Sequence, residues 1–203
     1  MNRLLKKEIA SNTIMFVALP LSILIYSVIM QSGPYLPFMF AAFMGAALPA
    51  SSVDMDDKSG WSRFAVSSGI PRKTMVDAKF MLTLVTMSVC QAVAFLGAML
   101  IVLITGCEFS IDDALLTIVL SVCLGLMLSS AALYIGYRFK GVAIFVVILI
   151  LGFIVTVMLF GMQRILGIFS DSIAATAAVC VAFLAVTALL YILTLRTVRT
   201  RDF

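Results

Sequence analysis

The chain has 203 residues, of which 63% are hydrophobic and only 12% charged. Soluble domains of this size carry roughly 25% charged residues, so the composition excludes an ordinary water-soluble fold and points to a membrane protein. The formal charge of +4 does not suggest nucleic-acid binding, because the basic side chains sit at the ends of apolar runs rather than in a stripe.

Residues 1–12 place Leu4, Leu5 and Ile9 on one side of a helical turn and Arg3, Lys6 and Lys7 on the other. That pattern fits either a short amphipathic helix on the inner membrane surface or a tail whose charges only set topology. A first span follows over about Thr13 to Met30, with Pro20 an expected place for a kink. With no small-residue cleavage site after it, this run reads as a retained span rather than a signal peptide. A Gly- and Pro-containing turn, Gln31 to Pro37, leads to a short second span, about Phe38 to Val53. Ala41, Ala42, Gly45, Ala46 and Ala47 give that span a small-residue face suited to close packing on another helix.

Residues 54–80 are the one long polar interruption and carry the only tryptophan, Trp61. A third span runs from about Phe80 to Thr105, and an acidic loop, Cys107 to Asp113, precedes a fourth from Ala114 to about Tyr137. Arg138 and Lys140 mark a short turn before a fifth span, Gly141 to Met162. An oddly apolar loop around Ile165 to Phe169 and a sixth span, about Ile173 to Leu195, lead into a basic tail. Each run is long enough for a core of ~30 Å at about 1.5 Å per residue. With the N-terminus cytoplasmic, every basic residue except Arg164 falls on the inner side. The sequence therefore predicts an all-α membrane protein, one domain over residues 1–203, with six transmembrane helices and both termini cytoplasmic.

No charged residue falls inside any predicted span, whereas ion-driven transporters and intramembrane enzymes usually place ionisable groups there. Gln91 is the strongest mid-span polar group, read as an interhelical hydrogen bond in preference to a substrate ligand. The chain has no histidine and no CxxC pair, so no metal site is expected; Cys90, Cys123 and Cys180 lie in apolar runs as small hydrophobes. No HExxH, GxSxG or paired carboxylates suggest catalysis, and no phosphate-binding loop suggests that the chain itself holds ATP.

Within the polar stretch, Trp61, Phe64 and Ala65 fall at i, i+3 and i+4, one face of a short helix. Asp56 and Asp57 are expected just before it, where negative charge favours a helix start, and Gly60 is expected to weaken that start. Ser67 to Gly69 breaks the helix, and Pro71 suits the first turn of the next, which runs into the third span. The result is a helix–turn–helix knob; the competing reading is a solvated loop with interfacial anchors.

The segments Asp57-Lys58-x-Gly60-Trp61 and Arg72-Lys73-x-Met75-Val76-x-x-Lys79-Phe80 resemble the first cytoplasmic loop of bacterial ABC-2 type transporter permeases. The six-span layout, the amphipathic start and the ending Arg201-Asp202-Phe203 are also similar. In that family a proline usually precedes the basic residue by three positions; this chain has Gly69 there and its proline at Pro71.

The resemblance implies the membrane-spanning permease of an ATP-driven exporter in the bacterial cytoplasmic membrane, moving a hydrophobic or amphipathic cargo by alternating access. A separate cytoplasmic ATPase subunit would hold ATP and Mg, and a second permease, identical or not, would complete the path among the membrane lipids. By the same resemblance, Trp61, Phe64 and Ala65 would enter an apolar groove on the ATPase. Asp56, Asp57, Lys58 and Arg63 would form its polar rim, and Arg72 and Lys73 would face acidic or lipid phosphate groups. The Ile165 to Phe169 loop would be either a re-entrant segment or a loop on the outer interface. The rival readings are a secondary transporter or channel, and a non-transporting subunit that still docks an ATPase.

Overall fold

A computed structural model describes residues 2–30, 33–139 and 173–200. Among them there are helices and no strands: α1 (Asn2–Ser11), α2 (Thr13–Met30), α3 (Leu36–Lys58), α4 (Trp61–Ser67), α5 (Arg72–Thr105), α6 (Ile111–Arg138) and α7 (Ile173–Thr200). Helices are what a chain this apolar must form in lipid, since each helix satisfies its own backbone N–H and C=O groups where no water is available.

Four helices are long and apolar enough to cross a membrane: Leu36–Lys58, Arg72–Thr105, Ile111–Arg138 and Thr176–Thr200. A fifth span results if Leu4–Ser11 and Thr13–Ile29, which meet at a bend of 61°, are taken together. The described residues thus give four or five spans where six are expected. The predicted fifth span, Gly141 to Met162, the loop at Ile165 to Phe169, and Lys140, Arg164 and the Arg201-Asp202-Phe203 ending lie outside them.

Two helices overrun their predicted bounds. The second predicted span ends at Val53, but α3 continues for more than another turn to Lys58; the third begins at Phe80, but α5 starts at Arg72. With 34 residues, α5 is about 51 Å long, well beyond a hydrocarbon core of about 30 Å. Its first turns therefore project beyond the apolar layer, which is how charged side chains come to lie on helices that also span it. α2 runs unbroken through Pro20. The break comes at Asn12 instead, where the Asn12 amide N–H bonds back to the Ile9 carbonyl at 3.2 Å and Phe16 N–H takes up the Asn12 carbonyl at 3.0 Å.

The predicted small-residue face of α3 is a packing face. α3 lies against α5 and α6, with Ala41, Ala42 and Ala46 buried. The Met87 side chain of α5 occupies the space that a Cβ on Gly45 of α3 or Gly125 of α6 would need. Gln91 does what a buried amide among apolar helices must: Nε2 donates to the Phe38 carbonyl at 3.2 Å and to Ser121 Oγ at 2.9 Å, tying α5 to α3 and α6.

The ends of the bundle differ. At one, Val53, Val76, Leu133, Tyr137 and Val198 bring α3, α5, α6 and α7 together beside α4. At the other, Ser110 caps α6, its Oγ accepting from Asp113 N–H at 3.4 Å, with Asp112 and Asp113 in the first turn. There Tyr35, Phe109 and Phe95 form a chain of ring contacts, at 6.0 Å and 6.4 Å between centroids.

Candidate functional site: a charged knot beneath a projecting helix

The polar stretch folds into the end of α3, the two-turn helix α4 and the start of α5, as the helix–turn–helix reading expects. Gly60 stands outside α4 as its N-cap, with φ +70. It therefore does not weaken the helix from within; it permits the left-handed turn that reverses the chain after α3, a conformation costly for a residue with a Cβ. At the other end, Gly69 N–H bonds to the Val66 carbonyl at 3.1 Å and Ile70 N–H to the Ala65 carbonyl at 3.0 Å. With Gly69 at φ +79, this is a Schellman ending. Pro71, extended at φ −60 and ψ 133, is the N-cap of α5. Gly69 and Pro71 thus stop one helix and start the next within three residues.

Asp56 and Asp57 lie in the last turn of α3, not in a loop before α4. Asp56 is buried and points inward, where it meets Lys79 of α5 at 2.5 Å and Lys7 of α1. Lys79 Nζ also contacts Glu8 Oε2 at 2.7 Å, and Lys7 Nζ contacts Glu8 Oε1 at 3.2 Å. The four side chains close a circuit in which each cation touches both carboxylates and each carboxylate touches both cations. Ser52 of α3 completes the knot: its Oγ lies 2.5 Å from Lys79 Nζ and 3.1 Å from Glu8 Oε2, and its carbonyl lies 3.2 Å from the same ammonium. The three protons of Lys79 therefore all find acceptors, which a cation only 3% exposed requires.

α1 is amphipathic in a different sense from the predicted one. The buried line of Glu8 on α1 continues to Asn12 at the bend, four residues on, while Ile9 is on the exposed side. From the other side of the knot, Lys7 reaches α4, its Nζ 4.7 Å from the centroid of the Trp61 ring.

The predicted face of α4 divides. Ala65 is fully buried and Trp61 half-buried against Lys7, whereas Phe64 is 59% exposed and Arg63 is exposed beside it. The Trp61 and Phe64 rings still lie together, 5.5 Å between centroids. Asp57 is half-buried, and Lys58 is exposed, paired 2.5 Å from Asp54 one turn back.

Arg72 turns to the bundle: Nη1 donates to the carbonyls of Val198 at 3.2 Å and Arg199 at 2.6 Å, closing the last turn of α7. Lys73 beside it is exposed. One helical turn further along α5, Tyr191 OH of α7 donates to Asp77 Oδ1 at 2.7 Å, and its ring meets Phe80 edge-on at 4.8 Å. The knob is thus fastened to α1 on one side and to α7 on the other, while Arg63, Phe64 and Lys73 remain outward.

Sequence reasoning missed Glu8, Lys7, Ser52 and Lys79 as a unit. The available signals were a lone acid in a basic helix and a lysine seven residues inside what proves to be a continuous helix.

A family model described as ABC-2 family transporter protein matches residues 3–196. No curated protein and no solved structure matches the chain. The match spans nearly the whole chain, the apolar helices make it a multi-pass membrane protein, and the family is a membrane component of ABC transport that implies an ATPase partner. The chain belongs to the ABC-2 family of transporter proteins.

Proposed function

We propose that this chain is the membrane-spanning permease of an ATP-driven exporter, and that α4 is the helix on which the partner ATPase acts. The observation that carries this reading is the division of α4. One side is seated by Ala65, Ser62 and Trp61, and the other presents Phe64 and Arg63 outward. An aromatic flanked by charge on a firmly held helix is the kind of anchor in which interface energy concentrates.

Charge supports placing the α4 end in the cytoplasm. Lys6, Lys58, Arg63, Arg72, Lys73, Arg138, Arg196 and Arg199 gather there, while Glu108, Asp112 and Asp113 lie at the opposite end. Both termini are then cytoplasmic, as the six-span topology expected from the sequence requires. ATP and Mg belong to the partner chain, which drives alternating access as α4 moves with it. The absence of Asp, Glu, Lys and Arg from the middle of the described spans suits such driving from below and suits a hydrophobic or amphipathic cargo. A second permease, the same or different, completes the path in the bacterial cytoplasmic membrane.

The test is to purify the tagged chain from its host in mild detergent and identify what accompanies it. An ATP-hydrolysing subunit in stoichiometric amount supports the reading. A chain that moves solute with no such partner is instead a secondary transporter or channel, and one whose partner ATPase moves no cargo is a docking subunit only.

A further inference from the structure

The knot of Lys7, Glu8, Asp56 and Lys79 joins three helices that sequence keeps far apart. α3 and α5 flank α4 and move with it by covalent continuity. α1 has no such connection; it lies against α5 and is ion-paired to this end by Lys7 and Glu8, with Lys7 also resting on the Trp61 ring of α4. Because the circuit is closed, breaking one ion pair leaves the other three contacts in place. It is also withdrawn from water, with Lys79 and Glu8 side chains 3% and 5% exposed, so its charges attract one another more strongly than surface pairs do.

We propose that Lys7, Glu8, Asp56 and Lys79 are positioning residues that make α1 an arm of the coupling module. Movement of α4 passes through the circuit into α1 and, across the bend at Asn12, into α2. The bend suits transmission. Asn12 Nδ2 donates to the Glu8 carbonyl at 2.8 Å, and the Phe16 N–H to Asn12 carbonyl bond restarts the helical ladder at once, so α1 and α2 meet without a swivel of unbonded residues. α2 in turn packs on α5, with Gly97 placed so that a Cβ there would lie 2.4 Å from Ser27 Oγ. The first helix of the bundle is thereby joined to α4 without passing through the loop that links α2 to α3. This inference rests on the reading of α4 as the helix moved by the ATPase.

The test uses the complex purified from its host, with Cys107→Ser removing the exposed native thiol and spin labels on Ile9→Cys of α1 and Ser67→Cys of α4, both exposed positions. The distance between labels is recorded without nucleotide and after trapping with ATP and vanadate. With the circuit intact we expect one narrow distance distribution that is the same in both states. The double variant Lys7→Met with Glu8→Gln removes both charges that α1 brings to the circuit and leaves the Asp56–Lys79 pair whole, so no buried ion is stranded; it should lose the narrow peak. If that variant yields no folded protein, Asp56→Asn with Lys79→Met cuts the same cross-helix pairs from the other side, leaves Lys7 and Glu8 paired with each other, and is expected to show the same loss. A narrow, nucleotide-insensitive distance in the variants, or a distance in the intact chain that shifts on trapping, overturns the proposal. If no ATPase accompanies the chain, the reading of α4 fails and the inference with it. The nucleotide-free comparison then shows separately whether the circuit holds α1 to α4.

Discussion

Lys79 and Glu8, 71 residues apart in sequence, meet at 2.7 Å with both side chains almost wholly withdrawn from solvent. A cation and an anion so placed hold their positions only together. Their value is conditional: the pair is neutral as a unit, and either member alone is a buried unbalanced charge.

Removing Lys79 alone should therefore be far worse than removing both members. Lys79→Met leaves Glu8 and Asp56 facing Lys7 as their one shared cation, and a loss of about 3–5 kcal/mol is expected. Glu8→Gln combined with Lys79→Met leaves the Lys7–Asp56 pair balanced and should recover most of that loss. Thermal unfolding in detergent, followed by the loss of the monodisperse peak, gives the comparison; equal destabilisation by the single and double changes would mean that the charges are not coupled.

The contact of α2 with α5 depends on Gly97. A Cβ there would stand 2.4 Å from Ser27 Oγ and 3.1 Å from Ser27 Cβ. Ser27 cannot readily swing aside, because it is itself buried and bonded to the Ile23 carbonyl at 2.8 Å. Gly97→Ala should cost about 1–3 kcal/mol by overpacking, and Ser27→Gly in the same chain should restore most of it. The same thermal assay reads both, and an unchanged midpoint for Gly97→Ala would count against this close approach.

Arg72 closes the last turn of α7 by donating to the Val198 and Arg199 carbonyls. Arg72→Ala should loosen that turn by roughly 1 kcal/mol, below the usual range for a charged donor because the Arg199 contact is exposed. Hydrogen exchange should quicken at the final amides of α7 and stay unchanged in the middle of the helix. Equal acceleration along all of α7 would point instead to a general loss of packing.

How much of this was legible in the sequence depended on how local each cause is. Trp61, Phe64 and Ala65 betray α4 by their spacing, and Gly69 and Pro71 punctuate it. Gln91 had to find an interhelical partner because lipid offers none. The direction of Asp56 was not legible. Its neighbours in sequence make it look like an acid at a helix start, but α3 continues past it and turns it toward Lys79 and Lys7. Glu8 is the same case: a 3.6-residue period separates Leu4 and Leu5 from Lys6 and Lys7, but only the approach of α5 makes burying a carboxylate favourable. The splitting of α4 into a seated side with Ala65 and an open side with Phe64 likewise follows from packing that periodicity alone does not contain.

On the proposed function, α4 receives the ATPase through its open side. The most direct measurement is the amount of ATPase that co-purifies with the tagged chain when Phe64 is changed to alanine, compared with the native chain at equal yield. Phe64 is 59% exposed, so the variant should fold and unfold like the native protein. A lost aromatic anchor is expected to cost about 2 kcal/mol of docking, roughly a thirtyfold weakening, and to leave the purified chain largely without its partner. Full retention of the ATPase by a well-folded Phe64→Ala chain would instead move the docking surface away from α4.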